Sequence, residues 1–354
     1  MPLKVTVFGA GSIGCHLGGA LAASAPADCE VTLVGRAQAM AVVAERGLRL
    51  TGGGRPAAHV PPRVLRTSAD PSAVAGADVV LVTVKARDTR AAAEACAAHL
   101  GPRTAVVSFQ NGLRGPESLR EALPAGTPVV AGMVPYNVLR TAPAAFHQGT
   151  AGTLVVEDVP AARPLVAALR GAGLPVEPRS DMRAVQCAKL LMNLNNAVNA
   201  LSGLPLREQL GARAYRRCLA LCQEEALAAF RAEGVSPARW GPVPAAVTPL
   251  LLRLPDGLFR RAAAASLRVD AQARSSMWED LERGRPTEVD ALQGEVVALA
   301  ARHGLAAPVN ARLVRLVREA EAAGPGGARR WSGPELHAVL SAARRRPDGA
   351  AAEH

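Results

Sequence analysis

The chain opens with a short apolar, β-rich run, KVTVF at 4–8. A glycine loop and an alanine-rich stretch with helical spacing over 12–24 follow it. Apolar runs then recur as EVTLVGR (30–36), VLRT (64–67), ADVVLVTVKA (77–86) and TAVVSFQNG (104–112), with a helical stretch at 88–99. Strands alternate apolar and polar residues only when one face meets water. Continuously apolar strands joined by helical crossovers therefore predict a parallel sheet covered on both faces. VVAGMV (129–134) and GTLVVE (152–157) extend that sheet, and LPVEPR (174–179) is expected as its last strand.

From Met182 the texture changes. Helical patterns run over 183–201, 213–233, 258–283 and 288–303, punctuated by Gly203, Pro205, Gly234, Pro237, Gly284 and Pro286. The expected organisation is an α/β domain over 1–182 and an all-α domain over 183–323. A loop with five prolines, 234–257, joins helices of the second domain, and a mobile basic tail with one short helix fills 324–354. There is no internal repeat, and 354 residues suffice for two domains.

Hydrophobic residues make up 49% of the chain but aromatics only 3%, so Leu, Val and Ala must fill the cores. A net charge of +11 raises the question of nucleic acid. The arginines are spread along the chain, so no nucleic-acid partner is expected; the exceptions are Arg329, Arg330, Arg344, Arg345 and Arg346. The six cysteines show no CxxC or Cys/His spacing, so no metal is expected and a reducing cytoplasm fits. No charged-then-apolar leader precedes the first strand and no apolar run reaches 18 residues, which predicts a cytoplasmic chain without a membrane span.

Gly9-Ala10-Gly11-Ser12-Ile13-Gly14 fits GxGxxG between a strand and a helix, the context that a dinucleotide-binding loop needs. Gly9 allows the tight turn, Gly11 lets backbone approach a pyrophosphate, and Gly14 permits close helix–strand packing. The first domain is therefore expected to be Rossmann-type. Its second strand ends VTLVGR, with Arg36 where an NAD site carries a carboxylate. A guanidinium can bind a 2′-phosphate that a carboxylate would repel, so NADPH is preferred. The alternative is that Arg36 is one more among 38 arginines. Lys85 and Asn111 end two later strands, where ligands of open α/β sheets bind. A simple Asn111-Gly112 turn is the competing reading.

Of 41 basic residues only Lys4, Lys85 and Lys189 are lysines. Lysine can be tuned by burial to give or take a proton, whereas arginine cannot. On a continuous helix Lys189, Asn193 and Asn196 sit at i, i+4 and i+7, a polar stripe that either faces a polar cleft, the preferred reading, or is solvated. Farther on, Thr287 with Asp290 reads as a capping box, and Glu288 as a first-turn acid or a functional carboxylate.

GAGSIG (9–14), VTVKA (82–86), QNG (110–112), AKLLMN (188–193), SSMWEDLERGRPTEVDALQGEV (275–296) and HGLAAPVN (303–310) together resemble the ketopantoate reductase family, in order, from about residue 3 to 320. The resemblance implies NADPH-dependent reduction of 2-dehydropantoate to (R)-pantoate, on the route to pantothenate and coenzyme A. It implies Lys189 as catalytic acid and substrate contact, and Glu288 beside the cofactor and the reacting centre. Asn193 and Ser276 would hold the substrate, joined by Asn196 on the reading of the polar stripe; Asn111 would lie between cofactor and substrate, and Lys85 by the cofactor. Arg36 would take the 2′-phosphate. The expected partner is a small 2-keto acid, with a homodimer left open. One position departs: Ala197 stands eight residues after Lys189, where the family often has a second asparagine. Asn196 or Asn199 is the expected stand-in. Two rival readings remain. One is a reductase of the same architecture acting on another 2-keto or hydroxy acid. The other is a non-catalytic NADP sensor.

Overall fold

In the computed structural model, which describes residues 1–24, 28–239, 243–262 and 273–345, the first apolar run is the strand Leu3–Phe8. Contacts divide the chain into two units, Met1–Met182 and Arg183–His354. The first unit holds an eight-stranded sheet. Its order is Val176–Arg179, Leu154–Glu157, Val129–Met133, Ala105–Ser108, Val79–Val82, Leu3–Phe8, Cys29–Val34 and Leu65–Ser68. Val5 stands opposite Val31 on one side and Val79 on the other, all in parallel register. Every residue of Val79–Val82 and Ala105–Ser108 is buried. This is why those runs do not alternate in the sequence.

The sheet is not wholly parallel, contrary to expectation. Leu154–Glu157 runs antiparallel to Val129–Met133, and Val176–Arg179 follows it in parallel. No helix bridges residues 133 and 154. Instead Val138–Ala142 and Ala145–Gln148 form an antiparallel hairpin with Ala144 at φ 56. A hairpin reverses the chain where a crossover helix would have kept its direction. These two strands join Leu48–Gly52 and Ala58–Val60 in a second, four-stranded sheet. Its strands are short and carry exposed Arg49, His59 and Arg140, so hydrophobic patterning does not announce it.

The second unit is helical. The expected single helix over 183–201 is two, Met182–Asn193 and Asn195–Ser202. The interruption falls at Leu194, whose carbonyl accepts from Gln293 Nε2 at 2.8 Å. Arg213–Ala232 forms as expected. Of the helix expected over 258–283, Asp256–Ala262 and Ser276–Glu282 are present, and 263–272 lie outside the described residues. A π-helical turn, Asp290–Gly294, leads into Glu295–Arg302. The helix Pro308–Ala323 was not expected; its proline sits in the first turn, where a missing N–H costs nothing.

Two expectations need correcting. The five-proline segment carries a short helix, Thr248–Leu252, and is tied down by Arg216. That guanidinium is fully buried. It donates to the carbonyls of Leu252 (3.2 Å), Leu210 (3.0 Å), Gly211 (2.9 Å) and Leu254 (2.8 Å), and to Asp256 Oδ1 (2.8 Å). All five of its N–H groups are thereby used, and its face lies over the Phe259 ring. The supposed mobile tail, as far as residue 345, is packed structure. Tyr215 Oη donates to the Trp331 carbonyl and Trp331 N to the Leu201 carbonyl, each at 2.8 Å. The helix Gly333–Arg345 then buries Leu336 and Leu340 completely. The two leucines, four residues apart, give it an apolar face long enough to dock. No helix among the described residues is long and apolar enough to cross a membrane.

Candidate active site

In the first unit the glycine loop follows Phe8 directly. Gly9 has φ +108, and a Cβ there would stand 2.6 Å from Val84 N. A Cβ on Gly14 would stand 2.5 Å from Gly9 O and 2.6 Å from Thr83 Oγ1. Neither position tolerates a side chain. Gly11 differs, since its nearest neighbour would be 3.9 Å away, leaving open space beside the first helical turn. The amides of Gly9 and Ala10 both donate to the Val34 carbonyl, at 3.0 and 2.9 Å, and Thr83 Oγ1 donates to Gly9 O at 2.7 Å. The loop is thus fixed to strands on either side of it. Cys15 N donates to Gly11 O at 2.9 Å, so the amides of Ser12, Ile13 and Gly14 begin the helix without an acceptor one turn back. No acidic residue lies in that turn. The loop therefore fits a pyrophosphate: open backbone at Gly11, oriented amides, and no opposing charge.

Arg36 is the exposed cap of the helix Ala37–Arg46, two residues beyond the end of Cys29–Val34. That helix also has no acid in its first turn. Lys85 and Asn111, both half-buried, follow adjacent parallel strands. Gln110 ties these strand ends together. Its Nε2 donates to Val84 O (3.1 Å) and Thr89 Oγ1 (2.6 Å), and its Oε1 accepts from Ser108 Oγ (3.1 Å). Gly112 has φ 87, so Asn111 does sit at a tight turn. A turn at the carboxyl end of a strand is also where ligands bind, and the two readings coexist.

In the second unit, Lys189 lies mid-helix between buried Ala188 and Leu190, and burial lowers its pKa from 10.5 to about 8. Desolvation disfavours the ammonium, and a lysine in this range gives up its proton readily. Asn193 closes the same helix and is buried. Asn196 falls on the next helix, so the expected stripe is not carried by one continuous helix. The Asn196 carbonyl accepts from Ser275 Oγ at 3.3 Å. Asn199, a proposed stand-in, is committed to the fold. Its Nδ2 donates to Leu204 O at 2.9 Å, and its Oδ1 accepts from Ser275 N at 2.9 Å. Ala197 is fully enclosed.

Ser276 is exposed at the first position of Ser276–Glu282, while Ser275 is the cap, accepting from Trp278 N at 3.2 Å. Glu288 is half-buried just before the π turn, and its carbonyl accepts from Ala291 and Leu292. The expected capping box does not form. Thr287 Oγ1 accepts from Val289 N, but Thr287 N donates to Glu321, and Asp290 pairs with Arg318 at 2.7 Å. The Lys189, Ser276 and Glu288 segments are thus stitched together inside one unit by Gln293–Leu194, Ser275–Asn196 and Ser275–Asn199. Gln293, Ser275 and Gln110 are the positioning residues that patterning did not single out. Each acts through the backbone of a distant segment, which leaves no local signal.

Residues 5–161 match the family model described as ketopantoate reductase PanE/ApbA, and residues 181–321 match its C-terminal counterpart. The 2-dehydropantoate 2-reductase of Halobacterium salinarum is 31% identical over 328 residues, covering 90% of this chain and 99% of the relative. A solved PanE/ApbA family ketopantoate reductase from Ralstonia eutropha JMP134 is 32% identical with a TM-score of 0.77, covering 90% of this chain and 99% of the other. D-mandelate dehydrogenase, solved with NADH and anilino(oxo)acetate, has a TM-score of 0.74 at 18% identity, over 90% of this chain and 99% of its own. That likeness is one of fold.

Proposed function

The chain belongs to the ketopantoate reductase family and is an oxidoreductase, and from that premise we propose that it reduces 2-dehydropantoate to (R)-pantoate with NADPH. The observation that carries the reading is Lys189, a lysine lowered to about 8 by burial on a helix stitched to the Ser276 and Glu288 segments. The bound nicotinamide supplies the hydride. The chain's own residues do the rest. Gly9 and Gly14 shape the loop, and the amides of Ser12, Ile13 and Gly14 hold the pyrophosphate, with Ala10 and Gly11 at its open side. Arg36 receives the 2′-phosphate, and Lys85 and Asn111 border the cofactor from their strand ends.

At neutral pH Lys189 carries a proton on Nζ. Its charge stabilises the alkoxide that develops as the ketone is reduced, and the proton then moves from Nζ to that oxygen, leaving a neutral amine. Glu288 orients the ammonium and balances its charge. Asn193, Asn196 and Ser276 hold the substrate's hydroxyl and carboxylate, since alignment is what converts binding into rate.

The test is loss of the NADPH absorbance with ketopantoate, against a panel of other 2-keto acids and against NADH. Turnover confined to ketopantoate and NADPH supports the reading in full. Turnover with a different acid keeps the mechanism and moves the substrate, a second reading that Ala197 favours because the usual asparagine is missing there. NADPH binding without turnover on any acid points to a sensor and overturns the proposal.

A further inference from the structure

The helix Gly333–Arg345 borders a cavity of about 470 Å³, within the range of roughly 300–1,000 Å³ usual for small-molecule sites. Two helices and a turn build its wall. Arg213, Arg217 and Leu221 repeat every four residues along one face of Arg213–Ala232. His337 and Ser341 continue to Arg344 and Arg345 along the facing helix, and Arg253 closes the end after Thr248–Leu252. Five arginines and a histidine thus converge, and none of the lining residues is acidic. The carboxylate that answers them, Glu224, is shared by Arg253 (2.5 Å) and Arg344 (2.7 Å). Arg213 Nε donates to the Arg253 backbone carbonyl at 2.8 Å, which orients the Arg213 side chain. The Arg217 side chain makes no hydrogen bond or ion pair among the described residues and is exposed. The excess positive charge is felt locally, because His337 is held below its usual range by burial and then by Arg217 and Arg253.

Like charges gathered on a docked helix are costly unless something answers them. The helix is nonetheless anchored by enclosed Leu336 and Leu340 and by the Tyr215–Trp331 hydrogen bond, so the backbone that carries Arg344 and Arg345 is held in place. His337, Ser341, Arg344 and Arg345 also lie beyond residue 321, where the family match ends. We propose that this cavity binds a compact polyanion of the di- or triphosphate class, at a site separate from the glycine loop. Guanidinium groups suit this ligand, since each offers paired donors to phosphate oxygens. The cavity belongs to the helical unit, whereas the glycine loop and Arg36 belong to the other.

The probe is inorganic tripolyphosphate, titrated into the full-length protein by calorimetry at constant ionic strength. Two variants change the net charge equally, Arg217→Glu in the cavity and Arg36→Asp at the expected cofactor site. One-to-one saturable binding, weakened at least ~10-fold by Arg217→Glu and less than ~2-fold by Arg36→Asp, is expected from loss of one charge-assisted phosphate contact. Equal weakening by both variants, or uptake that never saturates, means a diffuse charge effect and overturns the proposal. Loss in Arg36→Asp alone places the anion at the glycine loop and overturns it equally. If Arg217→Glu fails to fold by circular dichroism, Arg217→Ala is read by the same criteria.

Discussion

Replacing Lys189 with methionine separates the cost of its charge from its use. Burial lowers this lysine from 10.5 to about 8. At about 1.4 kcal/mol per pH unit, the folded protein carries a penalty of up to about 3 kcal/mol for holding the ammonium at neutral pH. Because the folded pKa lies below the unfolded one, the unfolded chain binds the proton more tightly between about 8 and 10.5. Stability from this group therefore rises with pH across that window, and below it the penalty is present in full. Lys189→Met removes the penalty. Methionine also gives up whatever contacts the amine makes, so a gain of about 1–2 kcal/mol at pH 7, shrinking from about pH 8 and lost by about 10.5, is expected in urea unfolding. Turnover should fall at least ~10²-fold. In the wild type, kcat/KM for reduction should be level at neutral pH and fall tenfold per unit above about 8, since the reaction needs the protonated form. Near-wild-type turnover in Lys189→Met would remove the lysine from catalysis. An alkaline limb displaced to about 10 would refute the desolvation argument, as would a variant less stable than wild type at every pH.

Two further outcomes follow from other parts of the molecule. Arg36→Asp places a carboxylate where the second strand ends, and should turn the preference from NADPH toward NADH by at least ~10-fold in kcat/KM; an unchanged ratio would sink the 2′-phosphate assignment. Arg216→Met strands four carbonyls and the Asp256 carboxylate, and should cost about 3–5 kcal/mol in urea unfolding. Arg216→Lys should rescue little, because three donors cannot replace five, and wild-type stability in either variant would contradict the role of the guanidinium as the anchor of the proline-rich segment.

The two-part architecture was legible because it is written in periodicity. Val79–Val82 and Ala105–Ser108 are buried on both faces, and their apolar runs say so directly. The glycine loop was legible for a different reason: backbone-to-backbone approaches at Gly9 and Gly14 leave glycine as the residue that fits. What was hidden depends on partners far along the chain. The reversal after Met133 is set by a hairpin that pairs with Leu48–Gly52, and its strands, five and four residues long, are too short for a pattern to stand out. The break at Leu194 needs Gln293, about a hundred residues on, to capture a carbonyl. Arg216 looked like one arginine among 38, and only its five acceptors, gathered from two segments, set it apart. The short helix expected after residue 324 reads as part of a mobile tail because its arginine-rich face dominates the composition, whereas two leucines dock it.

The same distinction decides what replaces the asparagine missing at position 197. Three asparagines follow Lys189 closely in sequence after Asn193, and the fold has already spent two of their carboxamides. Asn195 exchanges hydrogen bonds with Gln209 at 3.1 and 3.2 Å, and Asn199 bridges Leu204 and Ser275. Asn196 differs, because no hydrogen bond from the described residues engages its carboxamide, while its carbonyl is fixed by Ser275 Oγ. A half-buried amide on an anchored backbone is suited to a ligand, whereas Ala197 is fully enclosed and has no room to offer a polar group without leaving it unsatisfied. Asn196→Ala should therefore raise KM for the keto acid and lower kcat/KM by about 10-fold or more, with unfolding little changed. Asn199→Ala should do the reverse, costing about 1–3 kcal/mol of stability by stranding the Leu204 carbonyl and the Ser275 amide. Ala197→Asn should destabilise the protein without improving turnover. If instead Ala197→Asn raises kcat/KM for ketopantoate and Asn196→Ala leaves it unchanged, the substrate is held from position 197 after all, and the fixed Ser275–Asn196 contact serves the fold alone.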